Sequence, residues 1–99
     1  MRIGRLEPNY KGVPLHYLIT GHTGFKGAWL ALWLTQEGHE VSGLSLDPIP
    51  GALFETARVA ELLKHDIRGD IRNLSVVKDA LNLVKPDVVF HLAAQPLVR

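Results

Sequence analysis

Two apolar runs of different length flank the stretch Thr20-Gly21-His22-Thr23-Gly24-Phe25-Lys26-Gly27. The run before it (Leu15, Tyr17, Leu18, Ile19) has the length of a strand, and the run after it (Ala28 to Leu34) that of a helix. A strand that passes into a helix through three glycines is confined to few geometries. Gly21 allows the tight turn, since a residue without Cβ takes φ > 0 at little cost. Gly24 places no side chain between the backbone and an approaching anion, and Gly27 lets the helix lie close against the strand. The start of that helix offers unpaired N–H groups and the positive end of its dipole.

Such a turn is suited to two linked phosphates, as in a dinucleotide. A phosphate loop of the GxxxxGK[ST] kind is excluded. Counted from Gly21, its second glycine would stand where Lys26 is, and no Gly-Lys-Ser/Thr occurs in the chain. A GxxGxxG pattern alone is weakly specific, and a purely structural turn that binds nothing is the competing reading. The flanking strand-like and helix-like runs favour the phosphate cradle.

The remaining chain alternates in the same way. Residues 1–14 are polar and punctuated by Gly4, Pro8, Gly12 and Pro14, and read as a lead-in. Leu15 to Thr20 is the first strand, apolar enough to be buried on both faces as in a parallel sheet. About Gly24 to Glu37 is a helix, apolar nearly all round and so expected to be buried, with Gly38 as its C′ residue. Trp29 and Trp33 are expected in the core; a cofactor-stacking role is disfavoured because both lie past the turn. Glu40 to Leu46 is the second strand, and Pro48-Ile49-Pro50-Gly51 forces a loop. Leu53 to Leu63 contains one short helix, and Lys64 to Arg68 is a weakly patterned third strand. Asn73 caps a helix whose Leu74, Val77, Ala80, Leu81 and Val84 form a one-sided apolar stripe ended by Pro86. Val88 to Ala93 is the fourth strand. Strand and helix in strict alternation imply an α/β fold with a parallel sheet and right-handed crossovers. The expected architecture is the N-terminal half of a Rossmann doubly wound sheet, with four strands in the order 3-2-1-4 and flanking helices. The ligand then belongs beyond the carboxyl ends of the first and fourth strands.

Composition narrows the function. With 99 residues the chain is one domain at most, burying roughly 60–70% of its unfolded surface. A formal charge of +1 gives no electrostatic case for nucleic acid or an anionic membrane. No cysteine is present, so thiolate metal sites and disulfides are excluded, and no apolar run reaches the length of a spanning helix. No secretory signal is evident at Met1-Arg2, and a cytoplasmic protein is expected.

Among the other polar residues, Asp47 follows the second strand, about where an acid that accepts hydrogen bonds from the two ribose hydroxyls belongs. The same carboxylate repels a 2′-phosphate, and no arginine stands within the next few positions, which favours NAD over NADP. An Asp-Pro turn with no ligand role is the alternative. The histidines His16, His22, His39, His65 and His91 show no paired-ligand spacing and no companion cysteine, so no metal site is expected. His91 reads as a satisfied core histidine. His22 is the histidine placed to approach a ligand. A Tyr-x-x-x-Lys pair, which would bring a phenol and an ammonium together, is missing, since Pro14 and Gly21 stand four residues after Tyr10 and Tyr17. No residue of this chain is therefore expected to be catalytic.

Taken together, the run from Thr20 to Leu30 resembles the opening motif of the CDP-glucose 4,6-dehydratases, which are extended short-chain dehydrogenases/reductases. Leu46-Asp47, Leu53-Phe54-Glu55, Gly69-Asp70-Ile71-Arg72 and the ending from Phe90 to Arg99 agree with the same family in order. The resemblance implies NAD held by Gly21, His22, Thr23, Gly24, Phe25, Lys26 and Gly27. It further implies Asp47 at the ribose, Asp70 and Ile71 around the adenine, and Leu92, Ala93, Ala94 and Gln95 along the phosphate–ribose side. It also implies lyase chemistry on a nucleotide sugar: oxidation at C4, loss of water across C5 and C6, and return of the hydride to C6.

The stretch from Gly12 to Ile19 looks slightly longer than in that family, and the match covers only its first quarter to third. The expectation is a lead-in at 1–14 and a partial NAD-binding domain at 15–99, truncated after the fourth strand. CDP-glucose is then a partner only if a C-terminal part completes the protein, and self-association into a homo-oligomer is left open. A free-standing dinucleotide-binding module, completed by a partner chain, is the alternative, as is an inactive truncated product. An apolar last strand at an unpaired edge favours the fragment.

Overall fold

The computed structural model describes residues 14–93. Four parallel strands, β1 (His16–Thr20), β2 (Glu40–Ser45), β3 (His65–Arg68) and β4 (Val88–His91), form one sheet in the order β3-β2-β1-β4. This is the expected order. The register pairs Tyr17 with Val41 and with Val88, so β1 is the central strand between β2 and β4.

Alternation along β1 sends side chains to two separate cores. Tyr17 and Ile19 face α1 (Phe25–Gln36), α2 (Leu53–Thr56) and a 3₁₀ turn (Val59–Leu62), and pack with Ala28, Leu30, Ala31, Leu34, Val41, Phe54 and Val59. Leu18 faces the other way, with Leu44 and with Ala80 and Val84 of α3 (Leu74–Val84). Leu18, Ile19, Leu34, Val41, Leu44 and Val59 are fully buried, each contributing about 1.5–3 kcal/mol by the area it removes from water. Tyr17 also stacks on Phe90 of β4, with ring centroids 5.6 Å apart, which ties β4 to the α1 side.

The helix ends follow their local chemistry. At the C-terminus of α1, Gly38 takes φ +92, while Gly38 N–H donates to Thr35 O and His39 N–H to Leu34 O. That is the Schellman pattern expected of a C′ glycine. Asn73 caps α3 through its Oδ1, which accepts from Ser75 N (3.0 Å) and Val76 N (3.4 Å). Lys85, held at φ +49, ends that helix just before Pro86.

Burial departs from expectation at three places. α1 is not buried all round: Ala28, Ala31 and Leu34, spaced by three, face the sheet, while Phe25 and Trp29 lie on the opposite side. Trp29 is 53% exposed and is not a core residue; only Trp33 packs against the core. On α3, Val77, Ala80 and Val84 meet the sheet, whereas Leu74 and Leu81 are exposed because the helix sits over β1 and β2 rather than across its whole stripe. His91 is exposed too, its Nδ1 held 2.7 Å from Thr20 Oγ1. The segment after Pro50 folds as two short pieces, α2 and the 3₁₀ turn, instead of one helix. Arg58, at φ +55 between them, breaks the helical path. Among the described residues no helix is long and apolar enough to cross a membrane.

Candidate functional site

The carboxyl ends of the strands and the loops leaving them enclose a cleft of about 850 Å³. Its walls are the turn after β1, the loop from Ser45 to Ala52, the loop from Gly69 to Arg72, and Leu92 and Ala93 beyond β4. β1 has β2 on one side and β4 on the other, so the cleft lies where the strand order reverses, the usual ligand position in an open α/β sheet.

The glycine turn is built by close backbone approach. Gly21 takes φ +86, and a Cβ there would sit 2.7 Å from Ala93 N, so β4's exit passes directly over it. Gly21 N–H donates to Leu44 O (3.0 Å), Gly24 N–H to Gly21 O (3.1 Å) and Ala28 N–H to Gly24 O (2.8 Å). A Cβ on Gly27 would run into Gly21 O and His22 Cα. The third glycine thus seats the helix against the turn itself rather than against the body of β1. Gly24 is the N-cap of α1 and brings no capping side chain, and the first turn carries no acid. The open N–H groups of that turn therefore keep their preference for an anion.

Two threonines hold the turn to its neighbours: Thr23, expected at the cofactor but not in this bracing role, and Thr20, which the sequence reading did not assign. Thr23 Oγ1 donates to Leu46 O (2.9 Å) and pairs with Ser45 Oγ (2.8 Å), fixing the turn to the end of β2. Thr20 Oγ1 contacts His91 Nδ1 and accepts from Ala93 N (3.4 Å), fixing the exit of β4. Neither role has a sequence signal, because each depends on which strand ends are neighbours.

The ring of His22 does not approach the cleft. It is fully buried, edge-on to Phe54 and pressed against Gly43, where any Cβ would collide with it. Its Nε2 lies 2.7 Å from Asp66 Oδ1. Burial lowers its pKa, opposed by the hydrogen bond to Asp66, so the ring is neutral and Nε2–H donates to the carboxylate. Asp66 feels the opposing pull of its own burial, but the hydrogen bonds from Arg68 and His22 hold its pKa below the usual carboxylate range.

Of the residues singled out from the sequence, Gly21, Thr23, Gly24, Phe25, Asp47, Asp70, Ile71, Leu92 and Ala93 line the cleft. His22 and Gly27 are buried behind the turn, and Lys26 is exposed on α1 outside the lining. Ala94 and Gln95 lie outside the described residues. Asp47 stands at the rim with its side chain 83% exposed, and Arg68 Nη1 reaches to 3.0 Å from its Oδ1. No arginine follows Asp47 closely in the chain, yet the sheet brings one to it from the end of β3. Asp70 is gripped by Arg72, through Nη2 at 2.6 Å and the backbone N–H at 2.9 Å, which pulls its pKa down to about 2.

A doubly wound parallel sheet with a glycine turn at its crossover cleft defines a Rossmann-type domain. The chain belongs to the GDP-mannose 4,6 dehydratase family, whose sequence model matches residues 18–99. It is 51% identical over 82 residues to a CDP-glucose 4,6-dehydratase of Salmonella typhimurium, covering 82% of this chain and 23% of that protein. Among solved structures it is similar to MoeE5 in complex with UDP-glucose and NAD (34% identity, TM-score 0.58, 85% of this chain and 24% of that one). It is also similar to WbmH of Bordetella bronchiseptica in complex with NAD+ (26% identity, TM-score 0.61, 83% and 27%). The chain spans about a quarter of the length of the relatives it matches.

Proposed function

We propose that this chain is the NAD-binding first portion of a nucleotide-sugar 4,6-dehydratase, with CDP-glucose as the substrate of the whole enzyme. One observation carries the reading: Gly21, Thr23 and Gly24 of the turn line a cleft at the strand-order reversal, with Asp47 at its rim. The 51% identity to a CDP-glucose 4,6-dehydratase supports the substrate class.

The residues fit a dinucleotide. A Cβ at Gly21 would meet β4's exit, and one at Gly27 would meet the turn, so both glycines are required for the cradle to close. The uncapped N–H groups of the first turn of α1 would hold the pyrophosphate. Asp47 would accept from the ribose hydroxyls, and Asp70 and Ile71 would flank the adenine. Leu92 and Ala93, continued by Ala94 and Gln95, would border the phosphate–ribose side. His22 and Gly27 would serve by shaping the turn, through backbone rather than side chain. NAD, when bound, supplies the acceptor for the hydride leaving the sugar. The residues of this chain bind and orient; with no Tyr-x-x-x-Lys pair in the 99 residues, the proton-transfer groups are not among them. A cytoplasmic location goes with this reading, since NAD and nucleotide sugars are its ligands.

Calorimetric titration with NAD, paired with an assay of CDP-glucose conversion, tests this. Weak NAD binding and no turnover are expected of the 99-residue chain. Conversion of CDP-glucose by pure material would refute the division of labour, and failure to bind any dinucleotide would refute the cofactor assignment.

A further inference from the structure

Asp47 does not stand alone at the rim of the cleft. Arg68 is the last residue of β3, and its guanidinium is held from three directions. Nε and Nη2 lie 2.9 and 2.8 Å from the two oxygens of Asp66, Nη1 lies 3.0 Å from Asp47 Oδ1, and its carbon sits 5.2 Å from the centroid of Phe54. Asp66 is in turn anchored at 2.7 Å by the buried His22 ring. A continuous set of contacts therefore runs from beneath the glycine turn to the ribose-side carboxylate.

We propose that Arg68 is a specificity-determining residue of this cleft, which orients Asp47 for a ribose diol and sets how strongly a 2′-phosphate is excluded. The inference rests on reading the cleft as a dinucleotide site. Asp47, mostly exposed and on a proline-rich loop, has no other partner among its hydrogen bonds in the described residues. Arg68 supplies that partner, and the two-pronged grip of Asp66 points the free Nη1 at it. The same positive charge offsets part of the repulsion between Asp47 and a 2′-phosphate. Asp66, Arg68 and Asp47 together carry one net negative charge. Removing Arg68's charge unmasks both acids, whereas neutralising Asp66 leaves Arg68 balanced by Asp47 alone and free to turn toward a phosphate.

The two changes should thus move discrimination in opposite directions, which a merely structural pair would not do. The test is ligand-observed NMR titration of the 99-residue chain with NAD and, separately, NADP, for wild type, Arg68→Met, Arg68→Lys and Asp66→Asn. Arg68→Met is expected to raise the preference for NAD over NADP about fivefold, and Asp66→Asn to lower it by a similar factor. Arg68→Lys, which keeps the charge, should stay near the wild-type ratio. If wild type binds NAD and the ratio is unchanged in both Arg68→Met and Asp66→Asn, the inference falls and the dinucleotide reading stands. Should Arg68→Met not fold, Asp66→Asn decides alone, and a ratio unchanged or raised overturns the inference. A wild-type chain that binds neither dinucleotide overturns both.

Discussion

Gly27 and Gly24 of the turn should separate cleanly on substitution by alanine, because they meet different surroundings. At Gly27 the added methyl would collide with backbone, Gly21 O and His22 Cα, which cannot swing aside as a side chain does. Overpacking of this kind costs about 1–3 kcal/mol, and the upper end applies where backbone must move. Alanine inside a helix returns about 1 kcal/mol over glycine. The net loss for Gly27→Ala is then about 2 kcal/mol, a Tm lower by about 8–16 °C in a domain of this size. Gly24, by contrast, is exposed at φ −80 with Gly21 O 3.5 Å from the added methyl, an ordinary contact. Gly24→Ala should cost only about 0.5–1 kcal/mol, for a poorer N-cap. Thermal and urea unfolding followed by circular dichroism measure both. If Gly27→Ala melts at or above the wild-type temperature, helix propensity has won and α1 is not seated on the turn; the account of the cradle would then be wrong.

Other expectations follow from the site's charges. Burial lowers the pKa of His22 below its ordinary 6.5, so the unfolded chain binds a proton there that the folded chain refuses. Stability is complete above about pH 6.5 and declines as pH falls toward the folded value. His22→Gln should flatten the stability–pH curve below about pH 6.5, and an unchanged slope would show that His22 is not the group responsible. Asp66, whose pKa is lowered, adds a second loss only at more acidic pH, as it takes up its proton. Asp47→Ala should weaken NAD more than NADP; equal losses in titration would remove its ribose role. Arg72→Ala should raise the Asp70 pKa from about 2 part of the way toward the ordinary carboxylate value of about 3.9, because the backbone N–H of residue 72 still donates to it; carboxyl NMR shifts against pH will read this directly.

Much of this fold could be read from residue order because its signals are local. The apolar runs at Leu15 to Thr20 and Val88 to Ala93, the Asn73 cap, Gly38 after α1 and Pro86 after α3 each act within a few residues, and the four strands, α1 and α3 stand within a residue or two of their expected bounds. Strict alternation then left the order 3-2-1-4 as the natural arrangement. The misjudged positions depend on contacts far apart in the chain. An apolar side chain such as Trp29 or Leu81 carries no mark of which side of its helix will meet the sheet. His22 sits in a turn that faces a cleft, yet its ring points to the opposite side, where Gly43 and Phe54 make room and Asp66 supplies an acceptor.

The sequence by itself determined the turn and its glycines, the alternation of strand and helix, and the acid after β2, since backbone freedom and hydrophobic periodicity are properties of neighbouring residues. Only the tertiary structure decided what surrounds that acid. Parallel pairing of β2 with β3 carries Arg68 across 21 residues of chain to lie 3.0 Å from Asp47, and places Asp66 over the buried His22. Electrostatic partners act through distance in space, and sheet register sets that distance.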